Sequence, residues 1–183
     1  MKIISLTGTP GTGKSNVSNV LESKGYPVLH LNEYIRERGL GEGWDEERES
    51  VIVDPTVLSQ KVVDVLREGA IVEGHLSHYL SPEVCVVLRT SPTILYNRLI
   101  CRGYNDRKAR ENAEAEALGI ITSEAMESCP FVYEVDTTKL EVNETAEIVE
   151  RIYLHHFRGM RWEAIEDYRA GRIDYLEEVL EWY

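Results

Sequence analysis

The amino-acid sequence predicts an α/β fold of three layers, α/β/α, built around a five-stranded parallel sheet. Five short apolar runs, Ile3–Leu6, Val28–Leu31, Ala70–Val72, Val84–Leu88 and Phe131–Val135, are continuous rather than alternating, as strands buried on both faces are. Between them lie longer stretches whose apolar residues recur at helical spacing. The first run leads straight into "GTPGTGKS", Gly8 to Ser15, a glycine loop that opens a helix.

Each element has its own signal. Asn16 to Ser23 continues the helix after the glycine loop, and Gly25 stops it. "DPTVLSQKVVDVLREG" reads as a second helix running to Gly69, with Val57, Leu58, Val62, Val65 and Leu66 on its inner face. Ser91-Pro92 opens a third, proline being suited to a first turn. "GLGEGW", Gly39 to Trp44, reads as a flexible connection, and "ENAEAEALGIITSEAME" as one long helix in spite of Gly119. The last stretch, Met160 to Tyr183, reads as two short helices parted at Ala170-Gly171. Trp162, Ile165 and Tyr168 are expected to face inward on the first, and Leu176, Val179 and Leu180 on the second.

A chain of 183 residues with 43% hydrophobic content fits one domain, residues 1–183, with a sizeable core. Its 20 basic and 32 acidic residues leave a formal charge of −12. That excludes broad attraction to nucleic-acid backbones or anionic membranes, so an anionic ligand must be met by a local basic cluster. Cys85, Cys101 and Cys129 are odd in number, far apart and without a C-x-x-C pair, which predicts neither a disulfide framework nor a zinc site. Met1 leads into a strand with no signal-like segment, and no run approaches membrane-spanning length, so a soluble protein of the reducing cytoplasm is expected.

The loop fits G-x-x-x-x-G-K-[ST] with Gly8, Gly13, Lys14 and Ser15 in the fixed places. Such a match arises by chance in about one chain of this length per hundred, and the strand–loop–helix context lowers that further. A glycine loop at a helix start aims backbone N–H groups and the positive end of the helix dipole at one point, where phosphate is held. Gly8, Gly11, Thr12, Gly13 and Asn16 therefore belong to a nucleotide cradle. Lys14 would reach the outer phosphates and the Ser15 hydroxyl would hold Mg²⁺, which makes ATP with magnesium the expected ligand. A second carboxylate is wanted for the metal: Glu73, ending the run Ala70–Val72, is the first candidate and Asp54 its rival. His75 beside it would touch a phosphate or orient water, the plainer alternative being a solvated loop histidine, and His78 is the weaker of the two.

"YNRLICRGYNDRKAR" concentrates Arg98, Arg102, Arg107, Lys108 and Arg110 in an acidic chain. Guanidiniums closing over a transferring phosphoryl group stabilise its spread charge, so residues 101–111 read as a lid, with Asp106 and Glu111 available as ordinary surface partners. Arg98 and Arg107 are the substrate-binding candidates beside Arg102. Residues 31–53 read as an insertion for a phosphate acceptor, with Arg36, Arg38 and Arg48. Arg36 is preferred there, against a surface pairing with Glu33.

Together "GTPGTGKS", "GLGEGWDEERE", "IVEGHLSH", "VVLRTSPTILYNRLICRGYNDRK" and "ENAEAEALGIITSEA" resemble the adenylate kinase isoenzyme 6 family, and more closely its archaeal adenylate kinase type, over roughly residues 1–157. The resemblance implies a phosphate-loop nucleoside monophosphate kinase fold, with an acceptor-binding insertion at 31–53, a lid at 101–111 and a helical C-terminal extension at 158–183. It implies transfer from ATP to AMP with accompanying ATPase activity, with Gly11, Gly13, Lys14, Ser15 and Asn16 on ATP and Arg102 on its phosphates. Catalytic roles are then expected for Lys14, Arg102, Glu73 and His75, with Mg²⁺ on Ser15 and Glu73. It also implies work in maturation of the small ribosomal subunit through ribosomal protein uS11. Glu73-Gly74-His75 stands where eukaryotic relatives have an aspartate, a tyrosine and the histidine. Two other readings share the site: an ATPase assembly factor acting on uS11, and a kinase of another small molecule. No N-K-x-D sequence for reading guanine is present.

Overall fold

The structure, a computed structural model, describes residues 2–41, 43–45, 50–180 and 182. The chain runs β1 (Ile4–Thr7), α1 (Lys14–Ser23), β2 (Val28–His30), α2 (Leu31–Arg38), a hairpin of β3 (Gly43–Asp45) and β4 (Ser50–Ile52), α3 (Pro55–Val62) and β5 (Ile71–Glu73). A 3-10 turn (Ser77–Leu80) leads to β6 (Val84–Arg89), α4 (Pro92–Cys101), α5 (Asp106–Ala117), α6 (Ile120–Ser128), β7 (Phe131–Asp136) and α7 (Val142–Arg158). A second 3-10 turn (Glu163–Tyr168) and the short α8 (Leu176–Leu180) complete it. Five strands form one parallel sheet in the order β2-β5-β1-β6-β7.

The strands are apolar throughout because both faces are covered. Along β6, Val84, Val86 and Leu88 join Val17 and Leu21 of α1 and Val149 and Ile152 of α7. Cys85 and Val87 point the other way, onto Ala125 of α6, as the strand period of two requires. Ile3 and Val72 meet Leu31, Leu58 and Val62 of α2 and α3 on that second face. The order places β1 where the chain switches from one half of the sheet to the other, and in such sheets the crevice beyond the strands' carboxyl ends at that point is where ligands bind. Thr7, His30, Glu73 and Arg89 all end strands on that edge.

Four sequence expectations are corrected. The long helix through 111–127 is two, because Gly119 adopts a left-handed φ of 62° and caps the break between α5 and α6. The helix expected to reach Gly69 stops at Val62. The chain then turns back so that the Gly69 N–H meets the Lys2 carbonyl at 2.8 Å, and Val65 is left exposed. In the C-terminal segment Ile165 and Val179 are buried but Leu176 and Leu180 are exposed. The α8 turn is anchored by a polar contact, the Ser91 hydroxyl donating to Glu178 Oε2 at 2.6 Å, so little of it faces inward. Cys85 and Cys129 are paired as a disulfide, although 44 residues apart, because β6 and the end of α6 pack together. Cys101 is free and exposed. Among the described residues no helix is long and apolar enough to cross a membrane.

After α7 the chain lies along the outer edge of β7, with Ala170 N–H donating to Val132 O at 3.1 Å and Arg169 bridging Tyr133. This covers a strand edge that would otherwise present unpaired backbone groups. Beneath it His156 of α7 shares a 2.8 Å hydrogen bond with the Tyr133 hydroxyl. Burial, then His155 and Arg169, push its imidazole from 6.5 down to about 4. The folded chain thus favours the neutral ring. Its contribution to stability is complete above the unfolded value and is lost as pH falls through the folded one. The urea midpoint should therefore drop between pH 6.5 and about 4, and His156→Gln should flatten part of that slope; an equally steep slope in H156Q would assign the titration to other groups.

Candidate active site

The glycine loop leaves β1 at Gly8, whose φ of 137° and position against the Leu88 carbonyl admit no side chain: a Cβ there would lie 2.4 Å from that oxygen. The loop wraps over the start of α1. Lys14 is 7% exposed and its Nζ folds back on the loop, donating to Gly8 O at 2.7 Å and Thr9 O at 3.0 Å. Burial pushes the Lys14 ammonium down to about 8; Glu73 and Glu116 oppose that shift and Arg102 adds to it. A cation held at a helix N-terminus, under a loop of backbone amides, is the arrangement that receives phosphate oxygens.

At the other side of the α1 start, Ser15 Oγ donates to Glu73 Oε1 at 3.3 Å. Glu73 is 4% exposed, and its second oxygen pairs with His30 Nδ1 at 3.2 Å. The rival Asp54 is engaged elsewhere: it caps α3, accepting from the N–H groups of Thr56 at 2.7 Å and Val57 at 3.4 Å. A hydroxyl and a carboxylate side by side are hard oxygen donors, a set that fits Mg²⁺ shared with substrate phosphates.

The two histidines differ. His75 is half-buried, and burial, then Lys14 and His78, push it from 6.5 down to about 4, so its ring is neutral at physiological pH. His78 is enclosed beneath the loop, with Nδ1 3.2 Å from the Thr7 hydroxyl and Nε2 3.2 Å from Glu124. Burial lowers its pKa against the pull of Glu124, and both ring nitrogens are occupied in holding β1 to α6.

The arginines also divide. Arg98 in the last turn of α4 and Arg102 at its C-cap border a cavity of about 200 Å³ with Gly11, Gly13 and Asn16. Arg98 donates to the Thr137 carbonyl at 3.4 Å. Arg107 is 69% exposed on α5 and pairs with Glu111 at 3.0 Å, as Arg110 does with Asp106 at 3.0 Å. In this structure these two form the surface i, i+4 pairs that sequence reasoning held as the plainer alternative. Arg36 is exposed on α2 and among the described residues makes no ion pair, so the pairing with Glu33 is not formed. Arg48 lies outside the described residues.

Sequence reasoning missed the loop after β7. Thr137 and Leu140, with Val142 at the start of α7, close the far wall of the cavity, and the Thr137 hydroxyl shares its one proton between Thr12 O at 3.0 Å and Arg89 O at 2.9 Å. The position just past the last strand of a parallel sheet was the available signal, since that edge carries the ligand. A larger hollow of about 670 Å³ lies between α1 and α7 around Lys24, Arg151 and Trp162. It begins at the far end of the ten-residue α1, about 15 Å from the phosphate loop. Its Lys24 and Glu150 pair with each other at 2.6 Å, so its position and pairing set it apart from the phosphate chemistry.

Comparison with known proteins agrees with this geometry. The AAA domain family matches residues 4–119. A protein of Methanosarcina barkeri named "Putative adenylate kinase" is 42% identical over 182 residues, covering 97% of this chain and 99% of the relative. One of the same name from Archaeoglobus fulgidus is 44% identical over 177 residues, covering 97% and 93%. Among solved structures, shikimate kinase from Bacteroides thetaiotaomicron superposes with a TM-score of 0.54 at 19% identity over 82% of this chain and 96% of that one, a likeness of fold. With identity of this order running along nearly the whole of both chains, and the phosphate loop inside the matched domain, the chain belongs to the archaeal adenylate kinase family built on a phosphate-loop AAA domain.

Proposed function

We propose that the chain is a nucleoside monophosphate kinase that converts Mg-ATP and AMP to two ADP. The observation that carries this is the convergence of Lys14, the Ser15–Glu73 pair, Arg98 and Arg102 on one end of α1. In the reaction the bond between the γ-phosphorus and the β,γ-bridging oxygen breaks, and a bond to an oxygen of the AMP phosphate forms. The transferred group carries spread negative charge and little covalent chemistry is asked of the protein, so positioning and fixed positive charge supply the rate.

Lys14 leaves the carbonyls of Gly8 and Thr9 for the outer phosphates, and the backbone of Gly8, Gly11, Thr12, Gly13 and Asn16 cradles the rest. Arg102 and Arg98 meet the transferring group and exclude water as the segment 101–111 closes, with Arg107 brought in from α5. Arg36, which makes no ion pair among the described residues, is the acceptor's phosphate ligand within the insertion 31–53. Ser15 and Glu73 would hold Mg²⁺, which when bound neutralises charge on the phosphate oxygens. His30 orients Glu73, and neutral His75 donates or accepts a hydrogen bond without adding charge.

Hydrolysis of ATP follows when water enters in place of AMP. The charge of −12 favours a basic protein partner, and uS11 with the small-subunit precursor is the one implied by the family. Phosphorus NMR of Mg-ATP with and without AMP separates these activities. Two ADP per AMP without free phosphate is the expected result, and phosphate released at one rate regardless of AMP would make the chain an ATPase governed by a partner.

Three substitutions test the roles. Lys14→Met should lower transfer by about a hundredfold or more while the far-UV circular dichroism is unchanged; normal turnover in K14M would remove the lysine from the mechanism. Glu73→Gln should raise the Mg²⁺ concentration needed for half-maximal transfer, whereas Asp54→Ala should lower only thermal stability, by loss of the oxygen that caps α3. The reverse pattern would move the metal carboxylate to Asp54.

A further inference from the structure

Buried polar side chains that phosphoryl transfer leaves unused form a connected path from the phosphate loop to the C-terminal segment. Arg89, Glu116 and Glu134 are each no more than 3% exposed. Arg89 Nε donates to Glu116 Oε1 at 2.7 Å, its Nη2 donates to the Glu116 carbonyl at 2.8 Å, and its Nη1 donates to Glu134. Glu116 Oε2 accepts from the hydroxyl of Thr9 in the phosphate loop. Glu134 Oε2 accepts from the N–H groups of Gly171 at 2.8 Å and Arg172 at 3.3 Å.

A buried charge cluster is not in itself a gain, since well-packed hydrocarbon of similar volume is often as stable. What sets this one apart is where its ends lie. Thr9 is one of the two residues whose carbonyls seat the Lys14 ammonium. Arg89 reaches the loop a second time, because its own carbonyl shares the Thr137 hydroxyl with Thr12 O. The loop is thus tied to Arg89 twice, at Thr9 through the Glu116 carboxylate on its guanidinium and at Thr12 through the Thr137 hydroxyl on its backbone carbonyl, and the guanidinium is tied through Glu134 to the backbone that follows Ala170.

The geometry points to Arg89 and Glu116 as positioning residues for Lys14 and the phosphate loop, acting through Thr9, with Glu134 extending their hold to residues 171–172 so that the C-terminal segment tunes nucleotide binding. This rests on the reading of the loop as a nucleotide site, but not on the identity of the acceptor. Glu116 stands near enough to Lys14 to oppose the lowering of its pKa, in keeping with that placement. Gly119 lets α5 end beside the guanidinium through its left-handed φ of 62°, a conformation that favours glycine.

The test uses the full chain and measures binding of N-methylanthraniloyl-ADP by fluorescence anisotropy, with the melting midpoint recorded alongside. Thr9→Val, which removes the hydroxyl and keeps the shape, should weaken binding about tenfold, and Thr9→Ser should restore it. Glu134→Gln, on the far side of Arg89 from the loop, should also weaken binding, and the double variant should bind no more weakly than T9V alone. Multiplying losses, or T9V binding as the parent does, would overturn the relay. E134Q that melts normally and binds as the parent does would overturn the role of the C-terminal segment. Should E134Q not fold, the Thr9 pair still decides whether the loop depends on Glu116. A parent chain that binds ADP but phosphorylates no AMP defeats the kinase reading alone, because the readout here is binding.

Discussion

A lysine ammonium withdrawn from water is the constraint around which this fold is arranged. Lys14 is nearly enclosed, and its charge is satisfied by two carbonyls of its own loop. Those carbonyls face the lysine only because Gly8 takes a backbone conformation closed to other residues and passes within contact of Leu88. The sheet order follows from the same need. β1 must have β5 on one side and β6 on the other for Glu73 and Leu88 to frame the loop that β1 releases.

Around that cation the charges are graded by burial. Glu73 and Glu116 act on Lys14 from within the protein, and Arg102 acts from the exposed end of α4. The carboxylates hold the lysine charged against the cost of burial, and the arginines make the open side of the cavity attractive to an anion despite a net charge of −12. An acidic protein can bind a polyanion in this way because local field, not net charge, meets the ligand at contact distance.

Much of the fold and part of the site were legible in the chain. The apolar runs, the glycine loop and the helix after it are local patterns, and each strand appears where its run lies. Lys14, Ser15 and Glu73 follow from motif spacing and from the rule that a parallel strand ends at the site. Less legible were the groups whose meaning depends on a distant partner. Asp54 and Glu73 each close an apolar run; Asp54 is spent locally as the cap of α3, and only the pairing of β5 beside β1 makes Glu73 the neighbour of Ser15. Arg98 and Arg107 sit in one basic cluster, yet the break at Asn105 turns Arg107 onto a new helix with its own surface partner.

The class of fold, the phosphate loop and the family can be read from the chain alone, because they rest on residue type at fixed short spacing, which backbone geometry reads directly. Tertiary structure alone decided the pairing of Cys85 with Cys129, the wall formed by Thr137 and Leu140, and the burial of Arg89 between Glu116 and Glu134. In each case the partners are separated by tens of residues, and nothing in the spacing specifies which elements will pack. That choice is made by the covering of both sheet faces, a property of the whole core rather than of any segment.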